Sequence, residues 1–181
     1  MPTAEDYATG PRDAMILRLA QTPAELERLI DGRDPAVLSR RPEPKSWSAT
    51  EILCHVRDVE ELFQTRFHTI LALDEPVILV LGADAQQLAP WRFVGNHPLD
   101  PAEWAEDRQY ARHDPQAALH AFRRRRDEVV TLLRGLSSAE WQRVGIHVGR
   151  GRRALAHWVA SLAGHDDNHL AQLARALEGR P

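Results

Sequence analysis

Hydrophobic positions recur along this chain at intervals of three and four residues, the period of amphipathic helices rather than the alternation of half-buried strands. Leu26, Leu29 and Ile30 form one such stripe behind Thr22-Pro23-Ala24-Glu25, which reads as cap, first-turn proline and capping-box glutamate in order. A first helix is therefore predicted to open at Thr22 and to stop at Gly32. Pro35, Pro42 and Pro44 break the linker that follows. Ser48-Ala49-Thr50-Glu51 is a second capping box, launching Ile52, Val56, Val59, Phe63, Phe67 and Ile70, and predicts a long helix ending near Leu73. Asp114-Pro115 is again cap and first-turn proline, and Ala118, Leu119, Phe122, Val129, Leu132 and Leu133 carry the period to Gly135. Ser137-Ser138-Ala139-Glu140 starts a short helical turn, and residues 144–151, with Gly145, Gly149 and Gly151, form a loop or small hairpin. The last helix is expected from about Arg153 to Glu178 on Leu155, Trp158, Val159, Leu162, Leu170, Leu173 and Leu177.

Residues 74–113 are irregular, with Pro76, Pro90, Pro98 and Pro101 as breakers and Trp91 and Trp104 as anchors, and read as a long crossover carrying one short helix. Three long helices, a shorter one, few strands and one long crossover predict an all-α four-helix bundle. The 181 residues are read as a single domain with a core over about residues 22–178.

A chain that is 43% hydrophobic and 27% charged is globular and long enough for one core. The net charge of −3 creates no global attraction for nucleic acid or an anionic membrane, so such a partner would need a local patch and neither is expected. Cys54 is the only cysteine, which excludes an internal disulfide. The first ten residues carry Glu5 and Asp6 and no apolar run, unlike a signal peptide, and the longest uncharged apolar stretch, residues 76–83, is far shorter than the roughly 20 residues that span a bilayer. A reducing cytoplasm is the expected location. Arg123 to Arg126 scatter around one helical turn, which predicts solvated faces and ion pairs with Asp127 and Glu128. Arg150, Arg152 and Arg153 cluster after a glycine-rich loop, where they could meet an anionic carboxylate. There is no phosphate-cradling glycine loop, nucleophile elbow or two-cysteine metal pattern.

Chemistry concentrates in the histidines. His165 and His169 stand four residues apart on the last predicted helix, so their rings project from one face about 6 Å apart and can share an ion. Two neutral imidazoles suit zinc, nickel, iron or copper, but a firm site needs a third ligand from another element. His55, in the second turn of the other long helix and beside the apolar Val56, is the best candidate. Three imidazoles leave a position open for water or substrate, the arrangement of a catalytic site. Histidines at this spacing also occur as surface decoration. His157, two turns before His165, is about 12 Å away and reads as structural. His68, His97, His113, His120 and His147 have no spacing partner and read as solvated or loop residues. Asp58 and Gln172, each three residues after a candidate ligand, are placed either to hold a ligand ring by its second nitrogen or to stand as exposed polar residues. Cys54 points away from His55 around the helix and reads as a small core residue.

These residues carry a resemblance. His165-Asp166-Asp167-Asn168-His169-Leu170-Ala171-Gln172 resembles the His-Asp-x-Asn-His-Leu-x-Gln signature of the DinB-like superfamily, also called the damage-inducible or YfiT-like metal-dependent group. The segment from Trp47 to Glu60 is similar to its other hallmark, Trp-Ser-x-x-Glu-Ile-x-x-His-x-x-Asp, and Tyr110, Asp114, Pro115, Phe122 and Arg126 fall where related sequences carry such residues. The resemblance implies a four-helix bundle and a site in which His55, His165 and His169 hold a divalent ion such as zinc, nickel, iron or manganese. It implies further that the partner is a small-molecule substrate and that the ion activates a low-molecular-weight thiol, as in bacillithiol S-transferases and mycothiol-dependent maleylpyruvate isomerase; a metal-bound thiol is deprotonated and nucleophilic at neutral pH. A hydrolase or lyase using water is a near variant, and a non-enzymatic metal-binding stress or interaction protein is the alternative. Homodimers through outer helix faces are common among similar proteins. Gly164 and Asp167 depart from the usual motif, which bears on the shape of the substrate pocket, and residues 77–104 of the crossover are expected to border its mouth.

Overall fold

The computed structural model of the protein describes residues 3–78 and 100–181. Where the sequence offers complete caps, helices begin at them. Ser48 Oγ accepts from the Glu51 amide at 3.3 Å while the Glu51 carboxylate accepts from the Ser48 amide at 2.9 Å, and the long helix runs Ala49–Ala72. Asp114 caps Pro115–Gly135, and Ser137 with Glu140 closes a capping box over Ser138–Trp141. In chain order the elements are α1 (Ala4–Thr9), α2 (Arg12–Ile30), α3 (Pro35–Ser39), α4 (Ala49–Ala72), β1 (Val77–Ile78), α5 (Pro101–Asp107), a 3₁₀ turn (Tyr110–Arg112), α6 (Pro115–Gly135), α7 (Ser138–Trp141), β2 (Val144–His147), β3 (Gly151–Ala154) and α8 (Leu155–Leu177). Helices α2, α4, α6 and α8 form the four-helix bundle.

Two stretches differ from expectation. The helix expected to open at Thr22 opens ten residues earlier, leaving Pro23 inside it. A proline there removes the amide that would bond the carbonyl of Leu19. That carbonyl is taken instead by Arg126 Nη1 of α6 at 2.9 Å, and the Thr22 hydroxyl, which reads as a cap, donates to Asp166 Oδ2 of α8 at 2.6 Å. The apparent start signal marks a crossing point between helices, and Glu25 pairs with Arg18 two turns earlier on the same face of α2. The proline-broken linker also contains α3, with Asp34 as cap and Pro35 in its first turn.

The expected hairpin is present: β2 and β3 are antiparallel with Val144 opposite Ala154, and β1 adds a parallel edge with Val77 opposite Ile146. Gly145 permits this small sheet to lie on α4, because a Cβ there would come within 2.8 Å of the Ile70 side chain. Arg143 fastens the same end by donating to the carbonyls of Ile70 and Leu73, which α4 leaves unpaired. In the crossover, Trp104 is half-buried on α5 under the guanidinium of Arg108; Pro90, Trp91, His97 and Pro98 lie outside the described residues.

Packing divides into two apolar clusters stacked along the bundle. One gathers Leu19, Phe63, Phe67, Leu133, Trp141, Trp158 and their neighbours; the other gathers Leu26, Ile52, Leu53, Tyr110, Phe122 and Leu173. Between them each long helix contributes a buried polar residue: Thr22, Glu60, Arg126 and Asp166. Arg126 is fully buried and donates from Nε and Nη2 to the two Glu60 oxygens at 2.8 and 2.6 Å, and from Nη1 to Asp166 at 2.5 Å. Thus its partners are not Asp127 and Glu128. Arg123 and Arg125 likewise reach across the bundle, to Glu27 and Glu61.

A buried guanidinium tolerates no loss of its counter-charges, nor they of it. Arg126→Met, which keeps volume but strands Glu60 and Asp166, is expected to lower the unfolding free energy by about 3–5 kcal/mol in urea titrations. Neutralising all three at once (Glu60→Gln, Arg126→Met, Asp166→Asn) should recover much of it; a single variant as stable as the wild type would contradict this description of the core.

Candidate metal centre

Two helices bring the three histidines together. His55 comes from α4, two turns beyond its cap, and His165 and His169 from one face of α8. Nε2 of His55 lies 3.1 Å from Nε2 of His165, and one nitrogen from each of the three rings falls within 4.8 Å of the others. Ring centroids are 5.2 Å apart for His55 and His165, 4.6 Å for His55 and His169, and 4.2 Å for the α8 pair. A tetrahedral ion with metal–nitrogen bonds of about 2.0–2.1 Å would put its ligand nitrogens roughly 3.3 Å apart. The arrangement fits one such ion, and among the described residues no thiol or carboxylate joins the cluster.

The surroundings keep His55 and His169 neutral. His55 is buried, and burial, reinforced by His165 and His169, pushes its pKa down to about 2. Burial together with His165 takes His169 down to about 3, against a smaller raising effect from Gln172. Neutral imidazoles whose lone pairs converge in a dry pocket repel a proton there and offer themselves to a cation. Gln172 Oε1 lies 2.7 Å from His169 Nδ1, and a carbonyl oxygen can only accept, so the proton sits on Nδ1 and Nε2 presents its lone pair. Among the described residues, Nδ1 of His55 and of His165 have no hydrogen-bond partner; Asp166 Oδ1 stands 4.0 Å from the latter, beyond hydrogen-bond reach but near enough to act through its charge.

Gln172 therefore occupies the expected place beside a ligand ring, and Asp58 does not. The Asp58 carboxylate accepts from Arg57 Nε at 2.7 Å, Arg108 Nη1 at 2.8 Å and the Tyr110 hydroxyl at 2.8 Å. Burial alone would raise its pKa, but these donors hold it below the usual carboxylate range. Three good donors outcompete one imidazole, and Asp58 ties the end of the crossover to α4. Cys54 is a buried core residue whose thiol burial lifts to about 11. The departures at Gly164 and Asp167 turn away from the pocket. A Cβ at Gly164 would meet the backbone of Ala4 at 3.3 Å, while Asp167 accepts from the Tyr7 hydroxyl and Arg18 Nε, each at 2.6 Å, so both positions seat α1 against α8.

Sequence reasoning gave Trp47 and Asp166 no place at the site. Trp47 immediately precedes the cap of α4, and its ring lies 4.8 Å from that of His55 and nearly parallel to that of His169 at 6.4 Å, forming one wall. Arg41, paired with the capping Glu51, anchors this segment. A groove of about 320 Å³ opens on the outer side of Trp47 and Gln172, with Lys45, Ala102 and Arg180 also lining it. Asp166, adjacent to His165, is locked by Arg126 and Thr22 and so fixes the rotation of α8 that aims His165 and His169 at His55. The available signal was a charged residue on an apolar stripe, as at Glu60, Arg126 and Asp166 alike.

A four-helix bundle with a three-histidine centre on two of its helices defines the class. The family model described as the DinB superfamily matches residues 18–173, and the chain belongs to that family. Its structure is similar to that of YfiT from Bacillus subtilis, described as a probable metal-dependent hydrolase with an unusual four-helix bundle topology: the TM-score is 0.75 at 19% identity, covering 91% of this chain and 85% of that one. No curated protein matches the sequence. Among the described residues no helix is long and apolar enough to cross a membrane.

Calorimetric titration of the metal-free protein with Zn²⁺, Ni²⁺ or Mn²⁺ is expected to show one equivalent bound. Gln172→Ala should weaken binding about 10- to 100-fold by releasing the His169 tautomer, and Asp58→Asn should leave it unchanged. Equal effects of the two substitutions would contradict the assignment.

Proposed function

We propose that this protein is a metal-dependent enzyme acting on a small molecule, with His55, His165 and His169 as ligands and an activated nucleophile as product of the site's chemistry. The observation that carries the reading is the convergence of three imidazoles with no fourth protein donor among the described residues, beside a groove large enough for a small substrate. A divalent ion held there would acidify a coordinated thiol or water, providing a nucleophile near neutral pH. The nucleophile is either a low-molecular-weight thiol, for transfer to an electrophile or thiol-assisted isomerisation, or water, for hydrolysis; the description of YfiT as a probable metal-dependent hydrolase supports the second.

The protein's own groups do the positioning. Gln172 holds the His169 proton on the far nitrogen, and burial keeps His55 from being protonated. Trp47 shields two of the three rings from bulk water on the groove side. Of the two cations that line the groove, Arg180 pairs with Glu178, which leaves Lys45 to meet an anionic group of a substrate.

A second reading has an observation behind it: the ligands come from two different helices, so an ion would also brace α4 against α8. The two are separated by assaying metal-loaded protein with a small thiol and a model electrophile, and with activated esters, alongside His165→Ala. Turnover that the substitution takes to background in a still-folded protein supports the enzyme. No turnover with either class, together with a melting temperature that collapses on chelation, would replace it by the structural role.

A further inference from the structure

A second polar recess lies two turns of helix away from the metal centre, about 12 Å along α8 from His165 to His157. It is bounded by the hairpin turn on one side and α8 on the other, with His147, Arg150, Arg153, His157, Trp158 and Ser161 among its walls. Its volume of about 60 Å³ has room for roughly four or five water-sized groups. We propose that this recess binds a compact dianionic oxyanion: phosphate, either free or as the terminal group of a small phosphorylated molecule.

Unpartnered donors and charge carry the assignment. Arg153 Nε and His157 Nδ1 are buried and have no hydrogen-bond partner among the described residues, although such atoms are ordinarily satisfied. Neither Arg150 nor Arg153 forms an ion pair among the described residues, whereas most of the arginines that pack between helices do. The Gly149 amide donates to His147 Nδ1 at 3.1 Å, so the neutral ring carries its proton on Nε2, a further donor. That ring is fixed by stacking on Trp158 at 5.5 Å. The indole is fixed in turn by donating to the Arg153 carbonyl at 3.2 Å. Positive charge at this place is dense enough that, after burial, Arg150, Arg66 and Arg153 are the groups that depress the His147 pKa. Glu5, exposed on α1, is the one acidic side chain among the lining residues, and it pairs with neither arginine.

Size and donor type select the ligand. Two arginines and two histidines lining a space for about five heavy atoms match a tetrahedral oxyanion, which offers acceptors in several directions; a nucleotide base or sugar would not fit within it. The hairpin supplies Arg150 and Arg153 from its turn and its second strand, so an anion held here would also clamp β2 and β3 onto α8.

The test uses metal-free protein in the His165→Ala background, so that an anion cannot bind through the metal centre and the result is independent of the proposed function. Inorganic phosphate and glycerol phosphate are titrated by calorimetry and by thermal melting, against chloride at matched ionic strength. One equivalent of binding is expected, with a melting-temperature rise that chloride does not reproduce, and Arg153→Ala should weaken it about 10- to 100-fold, as for loss of a hydrogen bond to a charged group. Tighter binding of the ester identifies a phosphorylated small molecule as the source, and equal or weaker binding identifies free phosphate. If Arg153→Ala does not fold, the exposed Arg150→Ala and the half-buried His157→Gln take its place, each weakening binding. No heat beyond that of chloride, or binding that all of these substitutions leave intact, overturns the proposal.

Discussion

The structure depends on one buried cation. Arg126 sits in the middle of the bundle with no access to water, and a guanidinium in that position is tolerable only if every strong donor finds an acceptor and its charge is balanced nearby. The sequence meets this condition from three other helices: Glu60 accepts two hydrogen bonds, Asp166 accepts two, and the carbonyl of Leu19, freed by Pro23, accepts another. Because these partners are spread over α2, α4 and α8, the condition can be met only when all four helices sit in one register. Apolar packing above and below supplies most of the driving force, but leucines and phenylalanines tolerate sliding that this layer does not.

The metal centre inherits its geometry from that layer. His165 is the chain neighbour of Asp166, and His55 lies little more than a turn before Glu60 on α4. Fixing Asp166 and Glu60 on the same guanidinium sets the rotation and height of both helices that carry ligands, so the three rings meet without a ligand-bearing loop. The layer also has an electrostatic consequence. Burial raises the pKa of Glu60 and works against ionisation of Asp166 as well, yet Arg126 and its other partners hold Asp166 below the ordinary range, leaving an anion directly behind His165. An anion there favours a cation at the imidazoles.

Much of this was legible in the sequence and the remainder was not, for identifiable reasons. The helices α4 and α6 follow from side-chain caps and uninterrupted stripes, α8, which lacks a side-chain cap, from its stripe alone, and the triad from a four-residue spacing plus one histidine on a facing stripe. Gln172 was legible because a side chain three residues along a helix can reach back to a ring; Asp58 had the same spacing and was claimed by its chain neighbour Arg57 together with Arg108 and Tyr110, which lie some fifty residues further on in the crossover. The start of α2 was obscured because Thr22 and Pro23 imitate a helix cap while serving contacts to α6 and α8. Local rules cannot distinguish a hydroxyl that caps from one that crosses to another helix. Likewise Gly164 and Asp167 look like changes to the pocket until α1 is seen to pack on them.

If three imidazoles from two helices hold one ion and leave room for a nucleophile, the ion's coordination shell must show it. X-ray absorption spectroscopy at the metal edge of the zinc-loaded protein reads that coordination directly. Three histidine nitrogens at about 2.0–2.1 Å, with their imidazole scattering pattern, and at least one further oxygen or nitrogen donor completing the shell are expected. A sulfur donor, or a shell with fewer than three imidazoles, would show that the three rings do not share the ion.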